Sequence, residues 1–179
     1  MTLEKSNMKK MCSFCVSDWH TATTILPYVK QKTESNEKII SIFENGFEGN
    51  IIELLKRTGI DKNIKNKIAE INWEAKNWNK YEQFEYFMEG NYAKDINLII
   101  NGNTEYINKI NSYIDMWFSK NNFRIKREEG KINVVSCYDI SEGFLQESVL
   151  PKYDYVLNTS GEKRINEIFK KDNKIKIAK

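Results

Sequence analysis

Apolar residues fall along this chain in two kinds of pattern: short unbroken runs, and longer stretches in which they recur at helical spacing. Met11 to Val16 is a run with β-branched and aromatic character and predicts a buried strand. Ala22, Ile25, Leu26 and Val29 then mark one face of a helix, with Asp18 or Thr21 as its cap and Pro27 as a source of a kink or a late start. Lys38 to Phe43 is the second strand, ended by Glu44-Asn45-Gly46. Ile51, Leu54 and Leu55 predict a helix stopped near Gly59, and residues 61 to 70 a further short helix. Ile71 to Trp73 reads as a third, short strand, and Tyr81, Phe84 and Met88 as a helix face.

Ile96 to Ile100 is a strong strand, and Ile107, Ile110, Ile114 and Trp117 mark the longest helix. Phe123 to Lys126 is either the first arm of a hairpin or a ragged helix exit, while Ile132 to Cys137 is a strand. Glu142 to Leu150 reads as a helix stopped by Pro151, Tyr153 to Leu157 as a last core strand, and Gly161 to Lys171 as a last helix. Strands thus alternate with helices, and they are continuous apolar runs, as in a parallel sheet covered on both faces. The fold class expected is α/β: a single three-layer, doubly wound domain with a mainly parallel sheet of about five to six strands. The domain is expected over residues 9–172, between a flexible N-terminus at 1–8 and a basic tail at 173–179.

Composition agrees with a globular chain of one domain. Its 179 residues are 40% hydrophobic and 30% charged, with a mean hydropathy of -0.63. No run nears the roughly 18 apolar residues that cross a bilayer, and Met1 to Lys10 lacks the apolar core of a signal peptide, so no membrane association and a cytoplasmic setting are expected. Three cysteines, Cys12, Cys15 and Cys137, do not make a disulfide framework. The net charge of +3 comes from the C-terminal region, where Lys170, Lys171, Lys174, Lys176 and Lys179 form a tail read as a solvated terminus.

In an open parallel sheet a ligand binds beyond the carboxyl ends of the strands. The candidate ligand-binding residues there are Trp19, His20, Glu44, Asn45, Trp73, Asn101, Tyr138 and Asp139, a polar and aromatic set of the kind small-molecule pockets need. Glu44, Tyr138 and Asp139 are read as polar contacts and Trp19 or Trp73 as an apolar wall. Cys12, Cys15, His20 and Cys137 are atoms of the kinds zinc takes, but Cys12 and Cys15 lie three apart within a strand and point to opposite faces. No metal is therefore expected, and no cofactor. No Gly-rich phosphate loop follows any strand, no nucleophile elbow occurs, and His20 is the only histidine. Four tryptophans without interleaved basic residues do not point to nucleic acid.

Met11-Cys12-Ser13-Phe14-Cys15, Ser35-Asn36-Glu37-Lys38, and Val135-Ser136-Cys137-Tyr138-Asp139 followed by Phe144 stand where one known family carries its motifs, as does Glu105-Tyr106 on the long helix. In these elements the chain resembles the MEDS domain, the methanogen/methylotroph sensory domain of bacterial and archaeal signalling proteins. Two departures stand out: the family's turn glycines are absent around Glu37, and Lys152-Tyr153-Asp154 lies where the family closes on His-Pro. The resemblance implies a RecA-like core that has lost its phosphate loop, and a sensory role coupled to a histidine kinase or a transcription regulator.

The function expected is a stand-alone, non-enzymatic sensory module. It binds an unidentified small molecule at the carboxyl edge of the sheet and acts through a protein partner, with self-association allowed. The alternatives are an inhibitor or adaptor, phage- or plasmid-borne for instance, that contacts protein only, and a degenerate nucleotide-handling enzyme.

Overall fold

A computed structural model describes residues 7–142 and 146–168. Six strands form one sheet: β1 (Met8–Cys15), β2 (Lys38–Phe43), β3 (Asp95–Gly102), β4 (Lys131–Asp139), β5 (Tyr155–Asn158) and β6 (Gly161–Arg164). Their order is β2-β3-β4-β1-β5-β6; every pairing is parallel except the β5–β6 hairpin at one edge. Helices α1 (Asp18–Glu34), α2 (Glu48–Lys56) and α3 (Lys62–Ala69) pack on one face; α4 (Tyr81–Asn91) and α5 (Thr104–Arg127) pack on the other. The short α6 (Gln146–Val149) runs into a 3-10 turn at Leu150–Lys152. The three-layer, mostly parallel α/β fold is the one the apolar pattern predicts.

The runs become central strands because both faces are covered: Ile96, Leu98, Ile99 and Ile100 of β3 are all fully buried. The expected faces of α1 and α5 meet the sheet as well. Ala22, Ile25, Leu26 and Val29 pack on one side, and Ile107, Ile110, Ile114 and Trp117 on the other. Pro27 sits on the exposed side of α1 and does not end it, since packing of the buried face outweighs one missing hydrogen bond.

Four readings need correction. Ile71 to Trp73 is no strand; the segment passes the end of β2 with a single bridge between Phe43 and Ala75. Phe123 to Lys126 is neither hairpin nor frayed exit but the last turn of α5, with Phe123 on the solvent side. Residues 161–164 form β6, not helix; helical backbone begins only at 165. Met8 already pairs with Ile132, so the sheet begins inside the segment expected to be flexible. Residues 1–6, Phe144 and the basic tail lie outside the described residues.

β3 carries one buried polar residue. Asn97 accepts hydrogen bonds from Tyr28 Oη at 2.7 Å and Asn133 Nδ2 at 3.0 Å, and its own amide donates to Glu37 Oε2 at 3.0 Å. This network joins α1, β3 and β4 near the amino ends of the strands.

Candidate functional site

At the carboxyl edge, β1 and β4 are neighbours whose following helices lie on opposite faces: α1 follows β1 on one, and the short α6 that follows β4 packs through Val149 with the α5 layer on the other. This is the switch point of the sheet, the position at which open α/β sheets bind their ligands. Cys15 and Asp139 pair across it.

The connection from β1 to α1 is only Val16 and Ser17. Ser17 Oγ caps α1 by accepting His20 N–H at 3.1 Å, and His20 Nδ1 accepts Val16 N–H at 3.1 Å. The imidazole therefore carries its proton on Nε2 when neutral, and Nε2 has no hydrogen-bond partner among the described residues. Asp18 places a carboxylate in the first turn, where a phosphate would otherwise find the positive end of the helix. A phosphate cradle thus lacks its loop and its favourable field.

At the end of β4, Asp139 Oδ1 accepts from Ser141 N–H at 2.8 Å and Ser141 Oγ at 2.6 Å, while Oδ2 has no hydrogen-bond partner among the described residues. Asn101 Nδ2 donates to the Cys137 carbonyl at 3.2 Å. Glu44 Oε2 accepts Asn103 N–H at 2.7 Å, and its Oε1 accepts Asn103 Nδ2 at 2.9 Å. Asn103 in turn caps α5 through Tyr106 N–H. The rim is thereby held in place, with Glu44 already committed to the α5 cap.

Gly102 lets this cap form. A Cβ there would lie 2.6 Å from Tyr106 Cδ1 and 2.8 Å from both Glu44 Cβ and Oε2. Gly102→Ala is expected to destabilise the fold by about 1–3 kcal/mol by overpacking against a buried ring. In NMR spectra the Asn103 amide should lose the shift that marks its bond to Glu44.

Two expected ligand contacts are instead core residues. Trp73 is 1% exposed and packs on Phe43 and Phe47. Tyr138 is 1% exposed, its hydroxyl 2.8 Å from that of Tyr153. Trp19 stands at the start of α1, partly exposed beneath the Arg57 guanidinium at 5.4 Å; Asn45 is exposed. Of the eight candidates, His20 and Asp139 stand beyond the ends of the neighbouring strands β1 and β4, with Ser17, Asp18 and Ser141 beside them, while Asn101 stands at the end of β3.

The cysteines do not form a centre. Cys12 lies against the α5 layer, Cys137 against the α1 layer, and no group of three metal-ligating side chains occurs among the described residues. Burial raises the Cys12 thiol to about 12 and Cys137 well above its ordinary value. Both are expected to resist a thiol reagent such as Ellman's at pH 8 in the native protein and to react once it is unfolded in denaturant.

Sequence reasoning missed a groove at the opposite end of β2. A concavity of about 870 Å³ is lined by Ile39, Ser41, Asn72, Lys76, Lys94 and Asp95, among others. Lys76 Nζ donates there to the carbonyls of Asn72 at 2.8 Å and Glu74 at 3.1 Å and to Ser41 Oγ at 3.3 Å. Burial lowers its pKa from 10.5 to about 8, against a raising effect of Glu74. The folded state thus disfavours the Lys76 charge. Stability should rise with pH between about 8 and 10.5, where the unfolded chain holds the extra proton. Comparing urea unfolding of the natural protein with Lys76→Met across that interval isolates the effect, which the variant should lack. A lysine in a polar loop gives no sign in sequence that neutral oxygens will surround it.

No family model matches the chain, and no curated protein matches it. Forty-five chains of solved structures do match. One of them, an ATPase domain, is 9% identical, with 85% of this chain and 69% of that chain covered and a TM-score of 0.46.

Proposed function

We propose that the chain is a non-enzymatic sensory or adaptor module that binds a small polar molecule at the carboxyl edge of its sheet. The observation that carries this reading is the pair of polar groups with no hydrogen-bond partner among the described residues at neighbouring strand ends, His20 Nε2 and Asp139 Oδ2, beside a helix start capped by its own side chain. One group donates and the other accepts, so the ligand class is a small molecule with both functions and no polyphosphate. The MEDS resemblance supports a cytoplasmic signalling role, with a histidine kinase or a transcription regulator as the protein partner.

Thermal unfolding in fractionated metabolite pools tests it. A ligand at 100 times its Kd stabilises by about 2.7 kcal/mol. A pool that raises the melting temperature of the natural protein and not of His20→Ala/Asp139→Asn supports the reading. No shift from any pool counts against it, and ATP turnover lost in Asp139→Asn would replace it with a nucleotide-handling enzyme.

A second reading, a protein-contacting inhibitor or adaptor without a small ligand, is favoured by Tyr86 and Phe123, 84% and 79% exposed on α4 and α5. A stoichiometric partner whose binding falls in Tyr86→Ser/Phe123→Ser would favour it.

A further inference from the structure

We infer that the exposed face made by α4 and α5 is a self-association surface, on which a second copy of this chain docks about a two-fold axis with its α5 over α4. This goes beyond the carboxyl-edge reading and stands on a different part of the molecule. It gives Tyr86 and Phe123 a second copy as partner, where the inhibitor reading gives them a foreign protein.

The two helices lie side by side and run in the same direction. Lys120 Nζ meets Glu85 Oε1 at 2.8 Å, and Arg124 Nη1 meets Glu89 Oε2 at 3.2 Å one helical turn further on. These pairs fill the seam. Helical spacing then sets Glu82, Tyr86 and Glu89 along α4, and Met116, Lys120, Phe123 and Arg127 along α5, in two stripes on the solvent side. Tyr86 and Phe123 are the most exposed large apolar side chains among the described residues, and Met116 of the same α5 stripe is exposed as well. At Gly90 an added Cβ would meet nothing within 4 Å, and a hollow of about 450 Å³ opens there, lined by Trp78, Tyr86 and Phe87.

Charge points to the occupant. α4 carries Glu82, Glu85 and Glu89 and no cation; α5 from Met116 onward carries Lys120, Arg124, Lys126 and Arg127 and no carboxylate. An acidic row beside a basic row is complementary to itself after a half-turn, which is the condition a two-fold dimer must meet. A uniformly acidic or basic partner is repelled by one of the two rows. Antiparallel docking that centres Tyr86 opposite the second copy's Phe123 sets Glu82 against its Arg127 and Glu89 against its Lys120. Glu82 and Arg127 form no ion pair within the chain among the described residues. Each Phe123 ring then enters the hollow beside Gly90 of the other copy, giving an apolar centre inside a charged rim. Docking α4 on α4 instead sets carboxylates against carboxylates.

Sedimentation velocity of the full chain at about 100 µM tests this, a concentration that reveals a Kd in the micromolar range. The natural protein should sediment as a dimer of twice 21.1 kDa. Tyr86→Ser/Phe123→Ser removes two exposed rings; it should keep the far-UV circular dichroism of the natural protein and weaken association at least tenfold. Glu82→Lys and Arg127→Glu should each sediment as a monomer. An equal mixture of these two variants should restore the dimer, because both contacts then join opposite charges, and that restoration separates lost docking from a damaged fold. A natural protein that is monomeric at this concentration, a dimer unchanged in Tyr86→Ser/Phe123→Ser, or a mixture that stays monomeric would overturn the inference. A monomer that loses a foreign partner in Tyr86→Ser/Phe123→Ser would overturn it in favour of the inhibitor reading.

Discussion

Trp73→Ala is expected to lower stability by about 3–5 kcal/mol, the range for truncating a large aromatic in a core. The indole is 1% exposed and meets Phe43 edge-on at 5.8 Å between ring centres. Its Nε1–H donates to the Ile68 carbonyl at 3.0 Å, and its own carbonyl accepts Phe47 N–H at 3.0 Å. Removing the ring leaves a cavity between β2, α2 and α3 and an unpaired carbonyl. Urea unfolding should show a lower midpoint with an unchanged slope. Trp73→Phe keeps part of the packing but not the hydrogen bond and should fall between the two. If Trp73 were instead the wall of an open pocket, Trp73→Ala would leave stability nearly intact, which is the outcome that sinks this assignment.

Asn97→Leu comes next, at about 2–4 kcal/mol, because it strips partners from buried groups instead of removing volume. Tyr28, 4% exposed, would keep a buried hydroxyl with nothing to receive its proton, and Glu37 would lose its amide donor. Burial, with the charges of Glu162 and Glu37 adding to it, holds the Tyr28 phenol far above its ordinary value, so ionisation offers no relief. Tyr28→Phe combined with Asn97→Leu should cost less than the two single changes together, since the double variant removes both ends of one bond. Additivity within about 0.5 kcal/mol would show that the two side chains are not coupled.

The contrast between Trp73 and Asn97 explains what could be read from the sequence. The strands at 38–43, 96–100 and 132–137 and the α5 stripe were legible because burial on both faces forces continuous apolar runs, and one-sided burial forces helical spacing. β6 was not, because its Gly-Glu-Lys-Arg lies at an edge and buries little, so no apolar pattern marks it. The strand-end rule picked out residues at the carboxyl ends of β1, β3 and β4, His20, Asn101 and Asp139 among them, but could not tell an inward aromatic from an outward one. Trp73 and Tyr138 went into the core because the partners that receive them, Phe47, Ile68 and Tyr153, belong to other segments. Asn97 was hidden for the opposite reason: a lone asparagine in an apolar run looks like a tolerated exception until three other segments supply its hydrogen bonds. The groove beside β2 had no signal at all, since it is made by a loop leaving the strand.

The central position of β1 also bears on how this chain reaches its fold. Both neighbours of the first strand are made late: Met8 pairs with Ile132, and Met11 with Tyr155. At roughly 5–20 residues per second, a ribosome needs on the order of ten seconds between releasing β1 and completing β4. Throughout that interval both edges of β1 are open, while β2 and β3 can already pair with each other. Such distant pairings slow folding, and an apolar strand left waiting is a target for chaperones and for aggregation. β1 can dock only once β4 is made, and β5 then covers its other edge, so slower growth or chaperone supply during expression should raise the yield of folded protein.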